Sequence, residues 1–114
     1  MSLVRFRKRG NDIISMEIDG HTEYGVEGED IVCAGLSCIA QTAVLGIFRV
    51  AQVNAIYQVD EEKGYLLLEL PETLTDSERD TCNIILQTAL IGIADLRDGY
   101  SDYIELEVKE EDVY

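Results

Sequence analysis

Between residues 2 and 19 apolar and polar side chains alternate: Val4 and Phe6 against Arg5 and Arg7, then Ile14, Met16 and Ile18 against Ser15, Glu17 and Asp19. A period of two puts each set on one face of an extended chain, so the stretch predicts two half-buried strands. Arg9-Gly10-Asn11-Asp12 between them is turn chemistry, and the chain therefore opens as a β-hairpin. Beyond residue 30 the period changes. Residues 31 to 48 carry no charge, and Leu36, Ile39, Ala40, Ala43, Ile47 and Val50 fall at helical spacing. Val44, Leu45, Phe48 and Ala51 widen the apolar surface beyond one stripe. Such a helix needs a second burial partner, another helix or another subunit. At 18 positions the uncharged run also just reaches membrane-spanning length. Ser37, Gln41, Thr42 and two glycines within it, with Arg49 directly after and no second span, favour a buried helix.

Strand patterns return at residues 54 to 59 and 64 to 70, around Asp60-Glu61-Glu62-Lys63, as a second hairpin that Pro71 ends. Thr75 and Glu78 stand at capping-box spacing and start a second helix reaching Leu96 or Arg97, with Gly99 as its stop. Ile85, Leu86, Ala89, Leu90 and Ile93 are its predicted inner face, and Cys82 is expected to pack. Residues 103 to 108 form a last strand, Ile104, Leu106 and Val108 alternating with Glu105 and Glu107. The order β-β-α-β-β-α-β predicts an α+β fold of two layers, a mostly antiparallel or mixed sheet with two helices covering a face. No repeat or linker interrupts it. With 114 residues and 46% hydrophobic content, residues 1 to 114 read as a single domain with one core.

Candidate chemistry gathers where strand gives way to helix. Residues 20 to 37 read GHTEYGVEGEDIVCAGLS and hold the single histidine of the chain. His21 ends the second strand. Residues 22 to 29, with Gly25 and Gly28, are expected to form a movable loop that acts as a lid. Gly28, Glu29 or Asp30 is available to cap the helix, which places Cys33 within about a turn of its N-terminus, where unpaired N–H groups stabilise a thiolate. His21 across the loop supplies the base of a nucleophile–base pair, and Ser37 follows Cys33 by four residues on the same helix face. Each residue also has a structural reading. Cysteine in an apolar helix is often a small buried hydrophobe, His21 suits a turn, and a helical serine commonly bonds the preceding turn. From the residues alone a protease and a transferase both remain open.

The His-loop-DIVCA constellation, GH followed by a glycine-containing loop and GEDIVCAGLS, resembles the ribosomal-processing cysteine protease family, Prp, and the likeness runs over the whole chain. The resemblance implies a peptidase that removes a short N-terminal extension from large-subunit ribosomal protein L twenty-seven. It makes His21 and Cys33 the catalytic pair, and it matches Gly20, Asp30 and Ser37 to the family's glycine, helix-opening aspartate and serine, with Gly20 and Ser37 as the substrate-binding positions. Thr22 and Cys38 stand where the family commonly has alanine, and neither change removes a catalytic group. Asp30 is a candidate to orient His21, though its place suits a cap better. The resemblance also agrees with a homodimer.

Charge and cysteine content narrow the partners. Nine Lys and Arg against 23 Asp and Glu leave a net charge of −14, which repels phosphate backbones and argues against nucleic-acid binding. It attracts a basic partner, such as a ribosomal protein, although acidity also serves solubility alone. Three cysteines with no apolar leader at residues 1 to 10 indicate a reducing, cytoplasmic setting and no membrane. His21, Cys33, Cys38 and Cys82 lack the paired spacings of a zinc site, so neither metal nor cofactor is expected. Two competing classes share these features: a non-catalytic acidic dimer that binds a basic ribosomal protein, and a thiol-dependent acyl transferase or redox sensor using Cys33 without peptide cleavage.

Overall fold

The structure is a computed structural model in which residues 1–20 and 27–111 are described, residues 27–30 by their backbone alone. The elements follow the expected order: β1 Ser2–Arg9, β2 Asp12–Asp19, α1 Glu27–Arg49, β3 Ile56–Asp60, β4 Tyr65–Glu69, α2 Asp76–Gly99 and β5 Ile104–Glu111. The strands form one sheet in the order β3-β4-β2-β1-β5, antiparallel except where β5 runs parallel to β1. This is the mixed sheet of an α+β fold.

Register explains the core. Phe6 lies opposite Met16 and Met16 opposite Leu68, while Val4, Ile18 and Leu66 make a second row across the same strands. All six are buried and join Val32, Leu36, Ala40 and Ile47 of α1 and Cys82, Leu86 and Ile93 of α2 in one cluster. Between Arg7 and Lys8 the β1–β2 register shifts, leaving Ile14 as the extra residue. The displaced backbone groups find partners: Ile13 N–H donates to Asn83 Oδ1 at 3.0 Å, and Leu70 N–H donates to the Ile14 carbonyl at 3.0 Å.

The capping box forms as read. Glu78 N–H donates to Thr75 Oγ1 at 3.1 Å, and Thr75 N–H donates to Glu78 Oε1 at 2.8 Å. Three boundaries differ from expectation. Val50 is 71% exposed rather than part of the inner face, because α1 ends at Arg49 and the chain turns away through Gln52 at φ 55°. β5 extends to Glu111, drawn out by pairing with β1 as far as Arg9, and Val108 near its end is exposed. α1 begins at Glu27, so Gly28, Glu29 and Asp30 lie inside its first turn, where acids complement the helix dipole. Cys33 is consequently the seventh helical residue, not a first-turn one.

The sheet's open face carries Arg5, Arg7 and Arg9 of β1, each against acids. Arg5 donates to Glu17 at 2.8 Å and Glu107 at 3.4 Å, and Arg7 donates to Ser15 at 2.7 Å, Glu111 at 2.8 Å and Glu69 at 3.0 Å. These cations form a half-exposed cross-strand ladder rather than a free basic patch. Pairs of this exposure are screened by solvent and salt and add little to stability.

Candidate active site

α1 presents Cys33, Ser37 and Gln41 at four-residue intervals, one turn apart on a single stripe. This stripe forms one wall of a cleft of about 310 Å³. Ile18 and Gly20 at the end of β2 close another side, and Val59, Asp60, Tyr65 and Leu66 of the second hairpin face α1 across it. Cys33 is half-buried and Ser37 exposed. The cleft therefore offers a thiol and a hydroxyl on an apolar floor with one acidic rim.

Gly20 has a conformational duty as well as a place in the cleft. Its φ is +88°, and a Cβ there would come within 3.1 Å of the Met1 carbonyl oxygen, while its own carbonyl accepts from Ser2 Oγ at 3.0 Å. Only glycine adopts this geometry without strain. Gly20→Ala is expected to cost about 1–3 kcal/mol of stability, read as a lowered thermal midpoint, and to lower the rate of peptide cleavage. An unchanged midpoint would show that the β2 terminus does not need the left-handed turn.

The Tyr65 hydroxyl donates to Glu17 Oε2 at 2.8 Å. That hydrogen bond, with some desolvation and the nearby charges of Glu17, Asp19 and Glu69, raises its pKa, so the phenol stays neutral at neutral pH on the open face of the sheet, tying the cleft-lining end of β4 to β2.

The three cysteines separate by environment, and none is in a disulfide. Cys82 is fully buried and its thiol pKa is pushed up, first by burial and then by Glu78. Cys38 is exposed in an apolar groove between the outer faces of the two helices, apart from the cleft. Iodoacetamide on the folded protein is expected to modify Cys33 and Cys38 and to spare Cys82, as read by peptide mass spectrometry. Equal labelling of Cys82 would mean that α2 opens readily.

The structure thus brings Cys33, Ser37 and Gly20 to one cleft. His21 follows Gly20 in the chain and lies outside the described residues, as do residues 22 to 26 of the predicted lid and the Asp30 side chain. Among the described residues no group of His, Cys, Asp and Glu is placed to hold a metal ion. The sequence reading missed Gln41, Val59, Asp60 and Tyr65. Gln41 had a signal, being a polar residue eight positions after Cys33 on the same stripe. The hairpin residues had none, since only tertiary packing brings them to α1.

A family model described as cysteine protease Prp matches residues 1–105. The chain belongs to the cysteine protease Prp family. It is a cysteine-type peptidase. The ribosomal processing cysteine protease Prp of Bacillus subtilis is 25% identical over 100 residues, covering 88% of this chain and 89% of the relative. The fold agrees with that of an essential ribosomal processing protease Prp from Staphylococcus aureus, solved in complex with a substrate peptide. There the TM-score is 0.83 at 25% identity, over 96% of this chain and 100% of that one. A second crystal structure of the Staphylococcus aureus protease, with a covalently linked product peptide, gives a TM-score of 0.81 at 26% identity, over 96% and 100% of the two chains.

Proposed function

We propose that this Prp family peptidase is an endopeptidase of ribosome maturation that removes the N-terminal extension of ribosomal protein L twenty-seven, with Cys33 as nucleophile and His21 as general base and acid. The observation that carries the assignment is the cleft itself, where Cys33 stands with Ser37 and Gly20 between α1 and the second hairpin. The Cys33 thiol gives its proton to His21, and its sulfur bonds to the scissile carbonyl carbon. As the C–N bond breaks, the proton passes from His21 to the leaving amine. Water, deprotonated by His21, then attacks the thioester and frees the carboxylate and the thiol.

The helix start at Glu27 bears on where the oxyanion is held. The unpaired N–H groups of the first turn of α1 belong to residues 27 to 30, the last of them three residues, about 4.5 Å along the axis, from Cys33, and in this scheme backbone donors near the helix start hold the oxyanion. Ser37, one turn from Cys33 on the cleft stripe, hydrogen-bonds the substrate or the thiolate in this scheme.

The partners follow from surface and charge. The net charge of −14 favours a basic ribosomal protein over nucleic acid. Three cysteines outside disulfides suit the cytoplasm. The proposed assembly is a homodimer. Ile31, Cys38 and Leu45 of α1 recur every seven residues, as do Ile84 and Ile91 of α2, and all five are exposed. Two apolar stripes at that spacing on a helix layer fit the same layer of a second copy.

A peptide spanning the extension of the ribosomal protein from the same organism, incubated with the protein and analysed by mass spectrometry, tests the function. Cleavage at a single bond is expected. Binding without cleavage would instead favour the non-catalytic acidic module, and an acylated Cys33 that transfers its acyl group without hydrolysis would favour the transferase.

A further inference from the structure

The two edges of the sheet are built differently. β5, on one side, reads IELEVKEE, and its charges blunt the edge against pairing with another chain. β3, on the other side, reads IYQVD, with no charge before its last residue and no proline. Ile56, Tyr57 and Val59 are 51%, 41% and 48% exposed. An apolar, unprotected edge strand is a template for an incoming strand, and chains ordinarily suppress it. Here it leads into the cleft. Val59 and Asp60, at the end of β3, line the same cavity as Cys33 and Ser37. Tyr57 is on the helix side of the strand, its ring 6.4 Å from Phe48 of α1 in an edge-to-face contact.

We propose that the substrate arm on one side of the scissile bond adds to β3 as a sixth strand, and that Val59 and Asp60 mark where it leaves the sheet for Cys33. This inference rests on the peptidase reading above and extends it to the mode of recognition. The occupant is an extended peptide because the edge runs directly into the reactive cleft, and an unstructured extension adopts a strand with little steric cost. β3 has five residues, so it holds an arm of about five residues, some 16 Å. Strand addition uses main-chain hydrogen bonds for affinity, and those bonds alternate along the peptide.

N-methylation of successive substrate amides tests the proposal, with kcat/KM measured for each peptide by mass spectrometry. Every second amide within the five-residue arm is expected to be sensitive, losing about tenfold in kcat/KM per methyl group, and the intervening amides tolerant. Val59→Lys on the enzyme is expected to raise KM while the thermal midpoint holds, because the side chain is half exposed. Methylation tolerated throughout the arm, with the unmodified peptide still cleaved, would overturn strand addition and leave the peptidase assignment standing. Failure to cleave the unmodified peptide would instead sink the assignment itself. If Val59→Lys lowers the oligomeric state and leaves KM unchanged, the edge pairs with a second copy and the proposal falls.

Discussion

Cys33→Ala is expected to abolish cleavage of the ribosomal-protein peptide while leaving the fold intact. The change removes one sulfur atom from a half-buried cleft position, not from the core cluster, so stability should hold to within about 1 kcal/mol. Losing the nucleophile removes the covalent route altogether, and the cleavage rate should fall by about a thousandfold or more. His21→Ala should cost a comparable factor, because base and nucleophile act as a unit and their losses do not add. Cys38→Ala is the control. Its thiol is in the outer groove, away from the cleft, so cleavage should continue at the wild-type rate. Single-turnover mass spectrometry of the three variants decides the matter. A Cys33→Ala protein that cleaves normally would end the assignment of Cys33 as the nucleophile.

Legibility in the sequence followed the range of the interactions. Hairpins and the capping box depend on neighbours a few residues apart, and both appear where the patterns put them. The parallel pairing of β5 with β1 joins residues more than 100 positions apart, and no local pattern encodes it. Val50 was misplaced because its spacing continued a stripe that the backbone had already left at Arg49. The early start of α1 has a similar origin: Gly28 reads as a loop residue, yet the surrounding acids favour a helix start there. In the cleft, Cys33, Ser37 and Gly20 were legible because one helix face and one strand end carry them. Tyr65 and Val59 were not, since they enter from a hairpin whose packing is tertiary. The excess apolar surface of α1 was legible as a demand for a partner, and α2 meets only part of it.

The remainder of that demand sets the second large effect. Replacing both Ile84 and Ile91 with glutamate is expected to convert the proposed homodimer to a folded monomer. The two side chains are 68% and 69% exposed in the single chain, so the substitutions leave its core untouched. Thr88 and Thr42 beside the groove already satisfy their hydroxyls, each donating at 2.7 Å to the carbonyl four residues earlier, and so present their methyl groups outward. In a two-fold interface each isoleucine counts twice, and full burial is worth about 1.5–3 kcal/mol per side chain. Even partial burial of the four, reversed by carboxylates that resist desolvation, should raise the dimer Kd by roughly a thousandfold or more. Sedimentation velocity across a concentration series measures this. A wild-type protein that stays monomeric would sink the homodimer. The monomeric variant should still cleave, because Cys38 lies five residues, about 140° of helical rotation, from Cys33, which directs the groove away from the cleft. If cleavage is lost with the dimer while the fold persists, the second copy completes the active site.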